Sequence, residues 1–192
     1  CRPETMYGCN KLYCEHLGRY YSKYYQRLSA VSSGEMIDFR AIRFPGLISS
    51  DTVPSGGTSD YGPEMIHAAA RGEPYTCFVR PDTTMPFMTM PDAISAMESL
   101  MKADAQSLTR TVYHISSFSV SAQDFVDKIS NLYNKSEIFF KVSDKRQAIV
   151  DSWPAELNDV AARKDWGWKP GFDFDTAFDN YLVPEINKRY GE

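Results

Sequence analysis

The sequence predicts an α/β fold, and three observations predict it. Segments with apolar residues at three- and four-residue spacing alternate with short runs rich in β-branched and aromatic residues. One of those runs ends in Phe44-Pro45-Gly46, a strand followed at once by a turn. At 192 residues, with 43% hydrophobic and 24% charged, the chain has the length and composition to bury a core.

Taken in order, the first element is a helix over residues 7–28. Leu12, Tyr13, Leu17, Tyr20, Tyr21 and Tyr24 recur at helical spacing, Arg19, Lys23 and Arg27 stand between them, and no proline interrupts. The tyrosine stripe reads as core packing. Residues 29–35 are small and polar and read as a loop, and residues 36–43 alternate loosely, as a strand does. In a doubly wound sheet ligands bind just beyond the carboxyl ends of strands, which places Pro45, Gly46 and Leu47 beside such a ligand.

Residues 49–62 are rich in Ser, Thr, Gly, Pro and Asp, a loop long enough to be functional or mobile. Within it Gly56-Gly57 lets a backbone approach a ligand closely, and the Thr58 hydroxyl offers a polar contact. A helix over 63–71, a strand over 75–79, a helix over 91–103 and a strand over 112–116 follow. The helix over 121–133 opens on Ser121 as N-cap, with Asp124 three residues on. A strand over 137–142 precedes a closing helix over 175–190, which Pro184 kinks or splits.

Several function classes are excluded. A net charge of −4 gives no basic footprint for nucleic acid. The apolar runs fall far short of a membrane span. Cys1, Cys9, Cys14 and Cys77 show no C-x-x-C spacing, and His16, His67 and His114 form no ligand set. Neither a metal site nor a disulfide framework is expected, and the thiols are expected to be reduced in an intracellular compartment.

The chemistry concentrates at the start of the chain. In a helix beginning near Tyr7, positions four apart lie roughly 40° apart around the axis, so Tyr7 and Lys11 share a face. A free tyrosine, with a pKa of about 10, is a poor base at neutral pH. A nearby cation favours the phenolate, which can then take a proton from a hydroxyl while a hydride leaves the same carbon. The same spacing also suits a surface pair on an amphipathic helix.

The longer context distinguishes these. Pro3-Glu4-Thr5-Met6-Tyr7-Gly8-Cys9-Asn10-Lys11 resembles the active-site segment of extended short-chain dehydrogenases, a family that includes nucleotide-sugar epimerases. Arg40-Ala41-Ile42-Arg43-Phe44-Pro45-Gly46-Leu47-Ile48 resembles that family's next strand and turn. Gly56-Gly57-Thr58-Ser59-Asp60-Tyr61 narrows the likeness to the short-chain L-threonine 3-dehydrogenases, with Ser59 replacing a threonine of the family pattern. Met85-Pro86-Phe87-Met88-Thr89-Met90, Asp151-Ser152-Trp153-Pro154 and Asp165-Trp166-Gly167-Trp168 extend it over nearly the whole chain.

The resemblance implies a Rossmann-type doubly wound sheet, its N-terminal half missing here, with a smaller C-terminal α/β substrate subdomain interleaved through residues 1–192. It implies oxidation of L-threonine by NAD to 2-amino-3-ketobutyrate. Tyr7 becomes the base, and Lys11 supports it and holds the nicotinamide ribose. Tyr7, Lys11, Pro45 and Leu47 contact the cofactor, while Tyr7, Gly57, Thr58 and Trp153 contact the substrate. It further implies a homodimer through the first helix, and a mitochondrial location in a eukaryote or a cytoplasmic one otherwise.

Trp166 and Trp168 are expected to serve packing. No Gly-rich phosphate turn follows a strand, although a dinucleotide enzyme needs one. We therefore expect the C-terminal part of a longer enzyme, inactive alone. The alternatives are a nucleotide-sugar epimerase or reductase, with Arg71 and Arg80 facing the diphosphate, and a non-catalytic dimerisation module.

Overall fold

The computed structural model describes residues 2–28 and 37–191. The loop expected over 29–35, and Met36 at the start of the expected strand, lie outside them. The first helix, α1, spans Met6–Lys23, capped by Thr5, whose side chain accepts from the Gly8 amide at 3.1 Å. It ends earlier than the periodicity predicts. The backbone leaves helical geometry at Tyr24, and Gln26 takes a positive φ of 53°.

Two short strands follow, β1 (Ala41–Arg43) and β2 (Gly46–Ile48), separated by Phe44-Pro45. Next come α2 (Tyr61–Ala70), β3 (Tyr75–Cys77), β4 (Thr84–Thr89) and α3 (Met90–Lys102). A 3₁₀ turn at Ala105–Ser107 leads to β5 (Val112–His114), β6 (Phe118–Ser121) and α4 (Ala122–Leu132). The chain continues through β7 (Ile138–Phe140), α5 (Asp144–Asp151) and α6 (Val160–Trp166). Ser121 and Asp124 make the expected capping box on α4.

The fold is mixed α/β with parallel pairing. β1 pairs with β5 and β3 with β7, both parallel, while β4 pairs parallel to β2 and antiparallel to β6. Strand β4 divides two cores. Phe87 belongs to a cluster with Tyr61, Phe125 and Phe178, and its neighbour Met88 to one with Tyr113, Ile115 and Trp168. Successive side chains on a strand face opposite ways. Burial on both faces makes β4 read as a continuous apolar run, which is why alternation does not reveal it in the sequence.

The closing helix is split. Residues Phe174–Ala177 form α7, Phe178–Leu182 a widened π-helical turn, and Val183–Tyr190 α8. Pro184 has no N–H for the carbonyl four residues earlier, and the wide turn absorbs the misfit. Trp166 and Trp168 pack as expected, with Trp168 buried and Trp166 edge-on to Tyr113. The tyrosine stripe of α1 does not. Only Gly18 and Ser22 of that helix are buried, and Tyr7, Tyr13 and Tyr20 are exposed. Among the described residues no helix is long and apolar enough to cross a membrane.

Candidate active site

Helix α1 carries Tyr7, Lys11 and Glu15 at intervals of four, so they form one stripe along it. The Thr5 cap holds the first turn, and Tyr7 stands on that turn with 72% of its surface exposed. Lys11 Nζ lies 5.3 Å from the centroid of the Tyr7 ring. One turn further on, Glu15 is gripped by Arg43. Arg43 Nε donates to Glu15 Oε1 at 2.7 Å and Nη2 to Oε2 at 2.5 Å.

Arg43 ends β1, and its register partner on β5 is His114. Arg43 Nη1 lies 3.3 Å from His114 Nε2. Because a guanidinium only donates, that ring nitrogen accepts and the imidazole proton belongs on Nδ1. Burial first, and the Arg43 charge second, hold the His114 pKa below its ordinary value. The hydrogen bonds to Glu15 raise that of Arg43.

Two cavities meet at this point. The larger, about 850 Å³, is lined by Tyr7, Lys11, Glu15, Arg43, Pro45 and Leu47 among others. The smaller, about 540 Å³, is lined by Tyr7, Pro45, Ser59, Met85, His114 and Trp153 among others. Tyr7, Arg43, Phe44 and Pro45 wall both. A group at the junction thus faces two spaces through the single phenol of Tyr7.

The residues singled out from the sequence distribute over these two spaces. Tyr7, Lys11, Pro45 and Leu47 line the larger cavity, and Tyr7 and Trp153 line the smaller. Trp153 follows the last turn of α5, its amide donating to the Val150 carbonyl at 2.9 Å. Gly57 and Thr58 are not among the lining residues. The neighbouring Ser59 is, and the Gly57 amide donates to Asp60 Oδ2 at 2.8 Å. That carboxylate folds the loop back on itself, which turns the Gly57 amide inward to Asp60.

Sequence reasoning gave no role to Arg43, His114, Ser59 or Met85, all of which line the smaller cavity. Arg43 had a signal, since it ends the strand beside Phe44-Pro45-Gly46, at the carboxyl edge where ligands bind. His114 had none. Its place opposite Arg43 depends on the pairing of two strands 71 residues apart.

No protein-family model matches this sequence. The chain is 38% identical over 172 residues to the mitochondrial L-threonine 3-dehydrogenase of Bos taurus, covering 90% of this chain and 43% of that protein. It is 39% identical over 173 residues to an uncharacterized epimerase/dehydratase of Staphylococcus haemolyticus, covering 90% of this chain and 51% of that one. The chain thus spans about half the length of the curated relatives it matches.

Its fold superposes on the apo GalE-like L-threonine dehydrogenase of Cupriavidus necator with a TM-score of 0.84 and 36% identity. That match covers 97% of this chain and 62% of the other. Sequence identity and shared fold agree that this chain is similar to part of the L-threonine 3-dehydrogenases and of their epimerase/dehydratase relatives, and that its fold is the one seen in the GalE-like neighbour.

Proposed function

We propose that this chain is the C-terminal portion of an NAD-dependent L-threonine 3-dehydrogenase, carrying its catalytic helix and its substrate pocket. The observation that carries the reading is Tyr7 at the meeting point of two cavities, with Lys11 one helical turn away. In this reading the larger cavity receives the nicotinamide end of the cofactor and the smaller one the amino acid. NAD, when bound, accepts a hydride from the substrate carbon.

The described residues suit that end of NAD. Leu47 offers a partly exposed apolar side chain, Pro45 forms the adjoining wall, and the Lys11 ammonium makes no ion pair among the described residues. Tyr7, as phenolate, takes the proton of the β-hydroxyl as the hydride departs, which leaves 2-amino-3-ketobutyrate. Lys11 favours the phenolate and holds the ribose. Trp153 and Ser59 line the pocket that takes threonine, while Gly57 and Thr58, the other candidates from the sequence, lie in the adjoining loop outside it. A pocket of about 540 Å³ with largely apolar walls fits a small ligand, since such sites run from about 300 to 1,000 Å³.

The name of the Staphylococcus relative keeps a nucleotide-sugar epimerase or dehydratase as the second reading. That reading needs cations for a diphosphate, and the two sequence candidates are already engaged. Arg71 pairs with Glu73 at 2.7 Å and Arg80 with Asp151 at 2.9 Å. The test is NADH formation by the full-length protein. Turnover with L-threonine and none with UDP-galactose or UDP-glucose supports the proposal, and the reverse overturns it.

The exposed tyrosines of α1 support a homodimer through that helix. The same surface serves a non-catalytic dimerisation module, which full-length protein that oxidises no substrate would favour. The bovine relative is named as mitochondrial, which supports that compartment if this chain is eukaryotic and the cytoplasm otherwise.

A further inference from the structure

We propose that Arg43 is a positioning residue: it occupies both oxygens of Glu15 and so keeps that carboxylate from drawing Lys11 away from Tyr7. The inference rests on the reading of Tyr7 as the base. It begins with spacing. Lys11 has a phenol one turn before it and a carboxylate one turn after it on the same helical stripe.

A lysine and a glutamate four apart on a helix attract one another unless something else holds the glutamate. Here a guanidinium does. The contact is a two-pronged fork at 2.7 and 2.5 Å, with the Arg43 and Glu15 side chains 31% and 18% exposed. A planar fork on a carboxylate outcompetes a flexible ammonium in both geometry and strength. The Lys11 ammonium lies instead over the Tyr7 ring.

Arg43 is itself held in place. It ends β1, its main chain is in register with His114 on β5, and its third nitrogen faces His114 Nε2. Arg2, ahead of α1, joins Lys11 and Arg43 as a third cation lining the larger cavity. Removing the guanidinium frees a carboxylate one turn from Lys11. The ammonium then turns to it, and the phenolate loses the cation that lay over its ring. Removing the carboxylate as well returns the ammonium to the phenol.

The experiment compares pH profiles of kcat and kcat/KM for L-threonine in the full-length enzyme, with folding checked by circular dichroism. Arg43→Gln is expected to lower kcat about tenfold or more and move the acid limb up by about one pH unit, with KM little changed. In Arg43→Gln/Glu15→Gln the limb returns and most of kcat is restored. A purely structural ion pair predicts the opposite, a double variant no better than the single one.

An unmoved limb in Arg43→Gln, or no rescue in the double variant, overturns the proposal. Should Arg43→Gln fail to fold, Arg43→Lys, which lacks the fork, must move the limb in the same direction. An unmoved limb there overturns the proposal equally. Tyr7→Phe separates the two levels. Turnover by Tyr7→Phe overturns the base assignment and this role with it. An inert Tyr7→Phe beside an unmoved Arg43→Gln limb overturns this role alone.

Discussion

A single oxygen separates Tyr7 from phenylalanine, and the proposed chemistry depends on it. In the full-length enzyme Tyr7→Phe is expected to lower kcat by about 10²- to 10⁴-fold, the range for a positioned general base. NAD binding, read by protection of the cofactor site in a thermal-shift titration, should change little. A second residue-scale prediction concerns His67, which is 1% exposed, with Nδ1 3.0 Å from the Tyr190 hydroxyl and Nε2 without a partner among the described residues.

Burial first, then the Arg189 and Arg71 charges, push the His67 pKa from 6.5 down to about 4. The folded state therefore resists a proton that the unfolded chain accepts. Stability from this group is complete above pH 6.5 and is lost as the pH falls toward about 4, by up to about 3 kcal/mol. Urea denaturation across that range should show the loss in the native chain and a flatter profile in His67→Gln.

At the scale of elements, α1 docks through its smallest residues. Gly18 lies against the Phe39 ring, where an added Cβ would come within 2.3 Å of ring carbon. Gly18→Ala adds about 1 kcal/mol of helix propensity but overpacks a contact at a cost of about 1–3 kcal/mol, so the net is destabilising. Because Phe39 also lines the larger cavity, the same variant should weaken NAD binding in the full-length enzyme. On α4, Ser121→Ala removes one half of a capping box and should lower the urea midpoint by about 1 kcal/mol in stability. That cap was legible because Ser and Asp three apart are a local signal. The widened turn before Pro184 was legible only as a break, because where the strain is absorbed depends on packing of Phe178 and Leu182 into the core.

For the whole molecule, the exposed stripe of Tyr13, Leu17, Tyr20 and Tyr24 is an apolar surface of the kind that marks an interface. If the full-length protein dimerises there, Tyr13→Glu/Tyr20→Glu should shift its sedimentation from dimer toward monomer without unfolding it. The 192-residue chain alone is expected to form no NADH from L-threonine, because no turn of backbone amides for a pyrophosphate is found in its sequence.

The sequence by itself determined the α/β class, the helix that bears Tyr7 and Lys11, and the strand ending in Phe44-Pro45-Gly46. All of these are local patterns of spacing, capping and turn chemistry, readable without knowing what packs where. Only the tertiary structure decided that the tyrosine stripe is exposed, that β4 is buried on both faces, and that Arg43 stands between Glu15 and His114. Those depend on parallel pairing between distant strands, whose register is set by side chains meeting across the fold rather than along the chain.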